Sequence, residues 1–374
     1  MKVEQLSLKD ATWEGSLSEI KFIPNIFLLF ISPLFKEKRA LVDKILECYP
    51  NATILGCSTA GEISGISVSD KTVSLTAIKL EKVNHKLVKE HVTSMTDSSN
   101  AGMALANQLN AKDLKHVIVF SDGLNVNGAE LVSGLKSVLK DVSITGGLAG
   151  DCSEFKETFV VANNTITDKL IVGLGFYGDQ LNVGFSSKGG WDSFGIDRLV
   201  TKSNNNILYE LDGLPALELY KSYLGHNAKN LPSSGLLFPL SMRVNEHDTP
   251  VVRTILGINE ADQSLTFAGN IPEGSYVRLM KANVDRLISG AEDSARNAND
   301  STNGGTELAI LISCVGRRLV LKQLVEEEVE VVQDIIGKAP KITGFYSYGE
   351  IAPFSLFSPC ELHNQTMTIT TLSE

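Results

Sequence analysis

Gly344-Phe345-Tyr346-Ser347-Tyr348-Gly349-Glu350-Ile351 ends a succession of amphipathic helix, short apolar strand and Gly-rich turn, with an alternating strand after it. Gly56-Cys57-Ser58-Thr59-Ala60-Gly61-Glu62-Ile63 ends the same succession near the start of the chain. Two such stretches so far apart point to duplication of a fold-sized unit, not to a solenoid repeat. Gly146-Gly147-Leu148-Ala149-Gly150-Asp151 reads as a third, shortened and degenerate copy. Gly-rich strand ends carrying one fixed carboxylate are places where α/β proteins hold ligands.

Around these turns the hydrophobic pattern gives the rest. Ile26–Ile31, the stretch 116–120 and Leu308–Cys314 are unbroken apolar runs, as expected of strands buried on both faces. Helical spacing follows at Leu41, Val42, Ile45 and Leu46, at Leu131, Val132, Leu135 and Val138, and at Leu321, Val325, Val329 and Val332. The run 85–92 is expected to pair beside the strand 73–78, and Gly178-Asp179 to close a hairpin. Some strand runs have no helix between them. The predicted fold class is therefore α/β (mixed α+β): two related halves with mixed, largely antiparallel sheets and packed helices, not a doubly wound Rossmann sheet. The polar patch Thr201–Asn206 divides the chain into 1–203 and 204–374.

The 374 residues are 43% hydrophobic, enough for a large core, and carry a formal charge of −10. A nucleic-acid-binding surface needs a basic stripe, and docking to anionic lipid needs positive charge, so neither partner is expected. Five scattered cysteines without a CxxC pair fit a reducing compartment and give no zinc or redox motif. The start lacks a signal-peptide core, and the segment 22–35 is broken by Pro24 and Pro33. The expected location is cytoplasmic, with no membrane span.

The order of these pieces resembles the FIST family of bacterial sensory proteins. The C-terminal half carries Leu208-Tyr209-Glu210-Leu211-Asp212-Gly213-Leu214-Pro215, Ile271-Pro272-Glu273-Gly274-Ser275, Cys314-Val315-Gly316-Arg317-Arg318, the turn 344–351 and Leu362-His363-Asn364-Gln365-Thr366. The N-terminal half carries the turn 56–62, Asp122-Gly123-Leu124-Asn125 and the turn 146–151. The resemblance implies a small-ligand sensor, with amino-acid-like ligands, that passes its signal to a separate protein such as a histidine kinase. It also implies an alternative: haem b as cofactor in a nitric oxide sensor, a diatomic gas being the ligand. An enzyme acting on an amino-acid-like molecule is the rival of a different class; the leading reading is not an enzyme.

Candidate ligand-binding residues are Phe345, Tyr346, Tyr348, Glu350, His363, Asn364 and Arg253. In extended chain Tyr346, Tyr348 and Glu350 share one face, with Phe345 opposite; they either cradle a polar ligand or form a hydrogen-bonded core strand. Arg253, inside an apolar strand, either grips a ligand carboxylate or pairs with a local acid. His363 either ligates haem iron or is fixed by backbone carbonyls. Glu62 and Asp151 either bind ligand or cap a turn. Cys57 is a candidate nucleophile or a small core residue. The turn 56–61 lacks the Lys and Ser/Thr of a P-loop, and GxSxG and HExxH are absent from the sequence.

Overall fold

The computed structural model describes residues 1–10, 12–152, 154–302, 305–355 and 358–374. The fold is α/β with mixed sheets, and the related halves resolve further into three units of one plan. In unit 1 the edge strand Lys2–Lys9 lies antiparallel to Thr72–Lys79, which lies antiparallel to Ile26–Ile31, which runs parallel to Thr53–Ser58. Unit 2 repeats this with Asn84–His91, Leu170–Tyr177, Leu114–Ser121 and Ser143–Leu148. Unit 3 repeats it with Asn182–Lys188, Met367–Ser373, Leu308–Cys314 and Lys341–Ser347. A parallel pair needs a crossover, and helices supply it: Lys38–Cys48, Gly128–Val138, and Val315–Leu321 with Glu327–Ile336. Asn127 caps the second of these, its side chain accepting from the amides of Ala129 and Glu130.

After its Gly-rich turn each unit extends a short hairpin, and that hairpin completes a different unit's sheet. Glu62–Ser64 and Ser67–Ser69 join unit 3, through pairing with Lys341–Ser347. Val160–Ala162 and Thr165–Thr167 join unit 1. Gly349–Pro353 and Cys360–His363 join unit 2. The exchange is cyclic and gives three sheets of six strands among the described residues. The turns themselves are tied in a ring. The amide of Ala60 donates to the Tyr346 carbonyl at 2.8 Å, that of Tyr348 to Leu148 at 3.2 Å, and that of Gly150 to Ser58 at 2.9 Å.

The first glycine of each turn sits opposite the central strand of its own unit: Gly56 opposite Leu29, Gly146 opposite Val119 and Gly344 opposite Leu311. A Cβ at these positions would lie 1.8, 1.8 and 1.9 Å from the partner's carbonyl oxygen. The third copy is thus one residue shorter, yet keeps the glycine, the ring bond and the acid.

An insertion, residues 192–281, separates the first strand of unit 3 from helix Val284–Ser301. It forms a nine-stranded sheet with helix Ala216–Leu224 and a core of its own around Leu208, Leu217, Tyr220, Leu265 and Phe267. The polar patch 201–206 covers the end of strand Arg198–Asn204 and the turn into strand Ile207–Leu211 of this sheet, so a division at 203/204 falls inside a hairpin. Two pairings differ from expectation. Asn84–His91 opens unit 2 beside Leu170–Tyr177 and does not pair with 73–78. Gly178-Asp179 joins two sheets and closes no hairpin, because Leu170–Tyr177 belongs to unit 2 and Asn182–Lys188 to unit 3. Alternation announces a strand, but a partner drawn from a distant unit leaves no local mark.

Gly344→Ala is expected to cost about 3 kcal/mol or more, because a backbone oxygen cannot yield as a side chain can. Urea unfolding checks this: a midpoint equal to wild type would show that the parallel pair can open around a methyl group.

Candidate functional site

The three acids that end the turns are buried, and each has the same task. Glu350 accepts from Ser347 Oγ at 2.6 Å and from Thr366 N and Oγ1 at 3.1 and 2.9 Å. Glu62 accepts from Thr59 Oγ1, Thr72 N and Thr72 Oγ1. Both therefore fix the corner where strand becomes hairpin, through a Ser/Thr-x-x-Glu spacing and a distant threonine. Asp151 does so with the amides of Phe155, Lys156 and Glu157, and Tyr348 Oη also donates to it. Burial pushes Glu350 up to about 8 and Glu62 up to about 7, against the pull of their hydrogen bonds.

The sequence candidates separate in space. Phe345 is core: its ring stacks on Phe30 at 4.7 Å and meets Phe120 edge-on at 5.8 Å. Gly147 lies close by, and a Cβ there would crowd Ile312 Cγ2 at 2.8 Å and the Gly349 carbonyl oxygen at 3.1 Å. Tyr346 Oη donates to Glu328, which also forms a fully buried ion pair with Arg317 at 2.8 Å. Arg253 is 4% exposed and meets backbone rather than an acid: it donates to the carbonyls of Asn270 and Leu362. Burial lowers it to about 10, which still leaves it charged. Cys57 is buried in the core, and burial raises its thiol pKa well above the usual range, which fits the small-residue reading.

His363 Nε2 lies 2.8 Å from the Ala352 carbonyl. A carbonyl only accepts, so Nε2 carries the proton and Nδ1 is an acceptor. Burial lowers this histidine to about 4, keeping it neutral. Phe354 packs edge-on against the ring at 4.3 Å. Nε2 is thus engaged and one ring face is covered, and no cavity among those described is lined by His363. The residues around His363 do not fit haem.

Of the seven candidates only Tyr348 lines the largely apolar cavity of about 150 Å³ that lies between unit 2, unit 3 and the insertion. The strand ends of units 2 and 3 supply Gly123, Leu124, Leu148, Cys314, Val315 and Gly316. The insertion covers them with Leu236, Thr254, Leu256 and Phe267. Phe155 stacks on Tyr348 at 4.4 Å and completes the wall. The cavity lies at the carboxyl ends of central strands, the place this class of sheet leaves open. Its size matches a body about as large as benzene. Among the described residues lining it there is no Asp, Glu, His, Lys or Arg. Burial raises both Tyr348 and Cys314, so no lining group is set to exchange a proton near neutrality. Sequence reasoning missed Thr254, Gly316 and the insertion wall; the signal for Gly123 and Gly316 was their place just after an apolar strand.

A model of the FIST N domain matches residues 25–214, and a model of the FIST C domain matches residues 216–353. The chain belongs to the FIST family. FIST domains are associated with small-ligand sensing in signal transduction, and in this FIST protein residues from both matched regions line the cavity. An uncharacterized protein of Methanocaldococcus jannaschii is 25% identical over 332 residues, covering 81% of this chain and 62% of that protein. The chain therefore spans less than two thirds of that relative's length. A crystal structure of cyanuric acid hydrolase from A. caulinodans aligns over 99% of this chain and 98% of its own, with 8% identity and a TM-score of 0.35. No helix among the described residues is long and apolar enough to cross a membrane.

Two outcomes follow. The carboxyl of Glu350 is protonated below about pH 4.5 in the unfolded chain and below about pH 8 in the folded one. Its contribution to stability is therefore complete at low pH and is lost as pH rises through that window, by about 1.4 kcal/mol per pH unit. Glu350→Gln removes this slope, so its melting temperature should gain on wild type from pH 5 to pH 8.5; parallel curves would show an ordinary carboxylate. Tyr348→Phe removes a hydrogen bond to a buried carboxylate and should cost about 2 kcal/mol, with faster proteolysis near Phe155. An unchanged denaturation midpoint would mean Asp151 is held by backbone amides alone.

Proposed function

We propose that this FIST protein is a sensory binding module whose ligand occupies the cavity between the strand ends and the insertion, and that a separate signalling protein, such as a histidine kinase, reads the bound state. One observation carries the reading. The cavity is largely apolar and lacks ionisable side chains other than a phenol and a thiol that burial keeps protonated. Such a lining suits retention of a small molecule more than its conversion. The same lining disfavours a zwitterionic amino acid, whose charges would have no partners there. Its walls come from three parts of the chain, so filling it pulls the insertion against units 2 and 3 and alters the surface they present together. That coupling is what a sensor requires.

Small molecules released from the purified protein by denaturation and identified by mass spectrometry test retention. Ala268→Leu projects a larger side chain into the cavity wall. It should weaken binding of the recovered molecule at least about tenfold while moving the melting temperature by only a few degrees. Full affinity in Ala268→Leu would place the ligand elsewhere, and turnover of the molecule would replace the sensor with an enzyme.

A further inference from the structure

Two buried polar atoms have no hydrogen-bond partner: Thr254 Oγ1 in the cavity wall and Gln365 Oε1 just behind it. Thr254 lines the cavity directly. Gln365 is fully buried, and its Nε2 donates to the carbonyl of Leu236, a lining residue. Because that carbonyl can only accept, the amide orientation is fixed and Oε1 is an acceptor. The amide rests against Gly316, also in the wall; a Cβ there would lie 2.4 Å from Nε2 and 2.5 Å from Oε1. Glycine is what lets a long amide stand at the cavity's edge. Native interiors leave few polar atoms unpaired, so such atoms at a cavity mark where a partner belongs.

We infer that this corner selects ligands through an uncharged N–H group, as in a primary amide or a lactam, with the apolar remainder against Leu124, Leu148 and Phe267. The inference rests on the cavity being the ligand site. The chemistry follows from what each charged alternative would meet. A carboxylate has only acceptor oxygens and would face the lone pairs of Gln365 Oε1. An ammonium would have no carboxylate in the wall, and Arg253 stands just behind it: a Cβ on lining residue Gly269 would lie 3.0 Å from Arg253 Nε. An ion buried without a partner is strongly disfavoured. A neutral N–H satisfies Gln365 Oε1, and the carbonyl beside it accepts from Thr254 Oγ1.

Matched pairs that differ only in the donor test this. N-methylbenzamide against methyl benzoate, and 2-pyrrolidinone against γ-butyrolactone, are titrated into the full chain by calorimetry or ligand-observed NMR. At least one amide or lactam should bind about tenfold tighter than its oxygen counterpart, the worth of one hydrogen bond. Thr254→Val should reduce that preference, and Gln365→Asn, which withdraws the carbonyl by one methylene, should abolish it. Asn tolerates the left-handed backbone that Gln365 adopts (φ 62°), and Thr254→Val carries the test if Gln365→Asn does not fold. Equal binding of both members of each pair would overturn the donor-selective corner and leave the cavity as the ligand site. Binding by neither member of either pair would overturn the corner and count against the cavity itself.

Discussion

Three backbone hydrogen bonds, from Ala60, Tyr348 and Gly150 to carbonyls of neighbouring turns, close a ring at the centre of the molecule. Every larger feature depends on it. Each bond is worth only about 1 kcal/mol, but the ring fixes where three chains leave their own sheets and enter others. The glycines at 56, 146 and 344 let each turn approach its central strand. The acids at 62, 151 and 350 then hold the outgoing corner. Side chains that resemble a ligand-binding set in one dimension are, in space, the fastenings of this crossing.

The symmetry is broken where the cavity lies. Around the ring the same plan is filled differently. Between units 1 and 3 the space beside Gly61 is taken by Arg318, which reaches the Ala60 carbonyl at 2.7 Å and pairs with Asp70. Between units 2 and 3 the insertion stands over the strand ends and leaves a hollow. The hollow belongs to the departure from the repeat.

The sequence disclosed the repeat and the helix–strand succession because apolar periodicity and Gly-rich punctuation are local. It placed Glu350 and Glu62 in equivalent positions, and the structure gives them equivalent partners. It misjudged the face shared by Tyr346, Tyr348 and Glu350. Alternation of side chains holds only within a strand, and the strand ends at Ser347, so Tyr348 turns toward Asp151 while Tyr346 turns toward Glu328. Arg253 read as ligand-gripping or salt-bridged, and backbone carbonyls hold it instead. Gly316 and Gln365 stood in motifs without a stated role and Thr254 gave no signal: a threonine between two short strands, a glycine in a helix's first turn and a glutamine in a bend are ordinary until the fold sets them near one another.

The cyclic exchange of hairpins has a consequence for how the molecule is made. During synthesis, unit 1 has its four strands by residue 79, but its sheet stays incomplete until 160–167 arrive. Its own hairpin, 62–69, must wait for the strand 341–347. The last unit closes only when 367–373 pairs with 308–313. Long-range closures of this kind fold slowly and expose unpaired edges meanwhile. The nascent chain therefore spends most of its synthesis with an open sheet edge, and a holdase that covers strand edges should matter more to its yield than one that shields apolar helices.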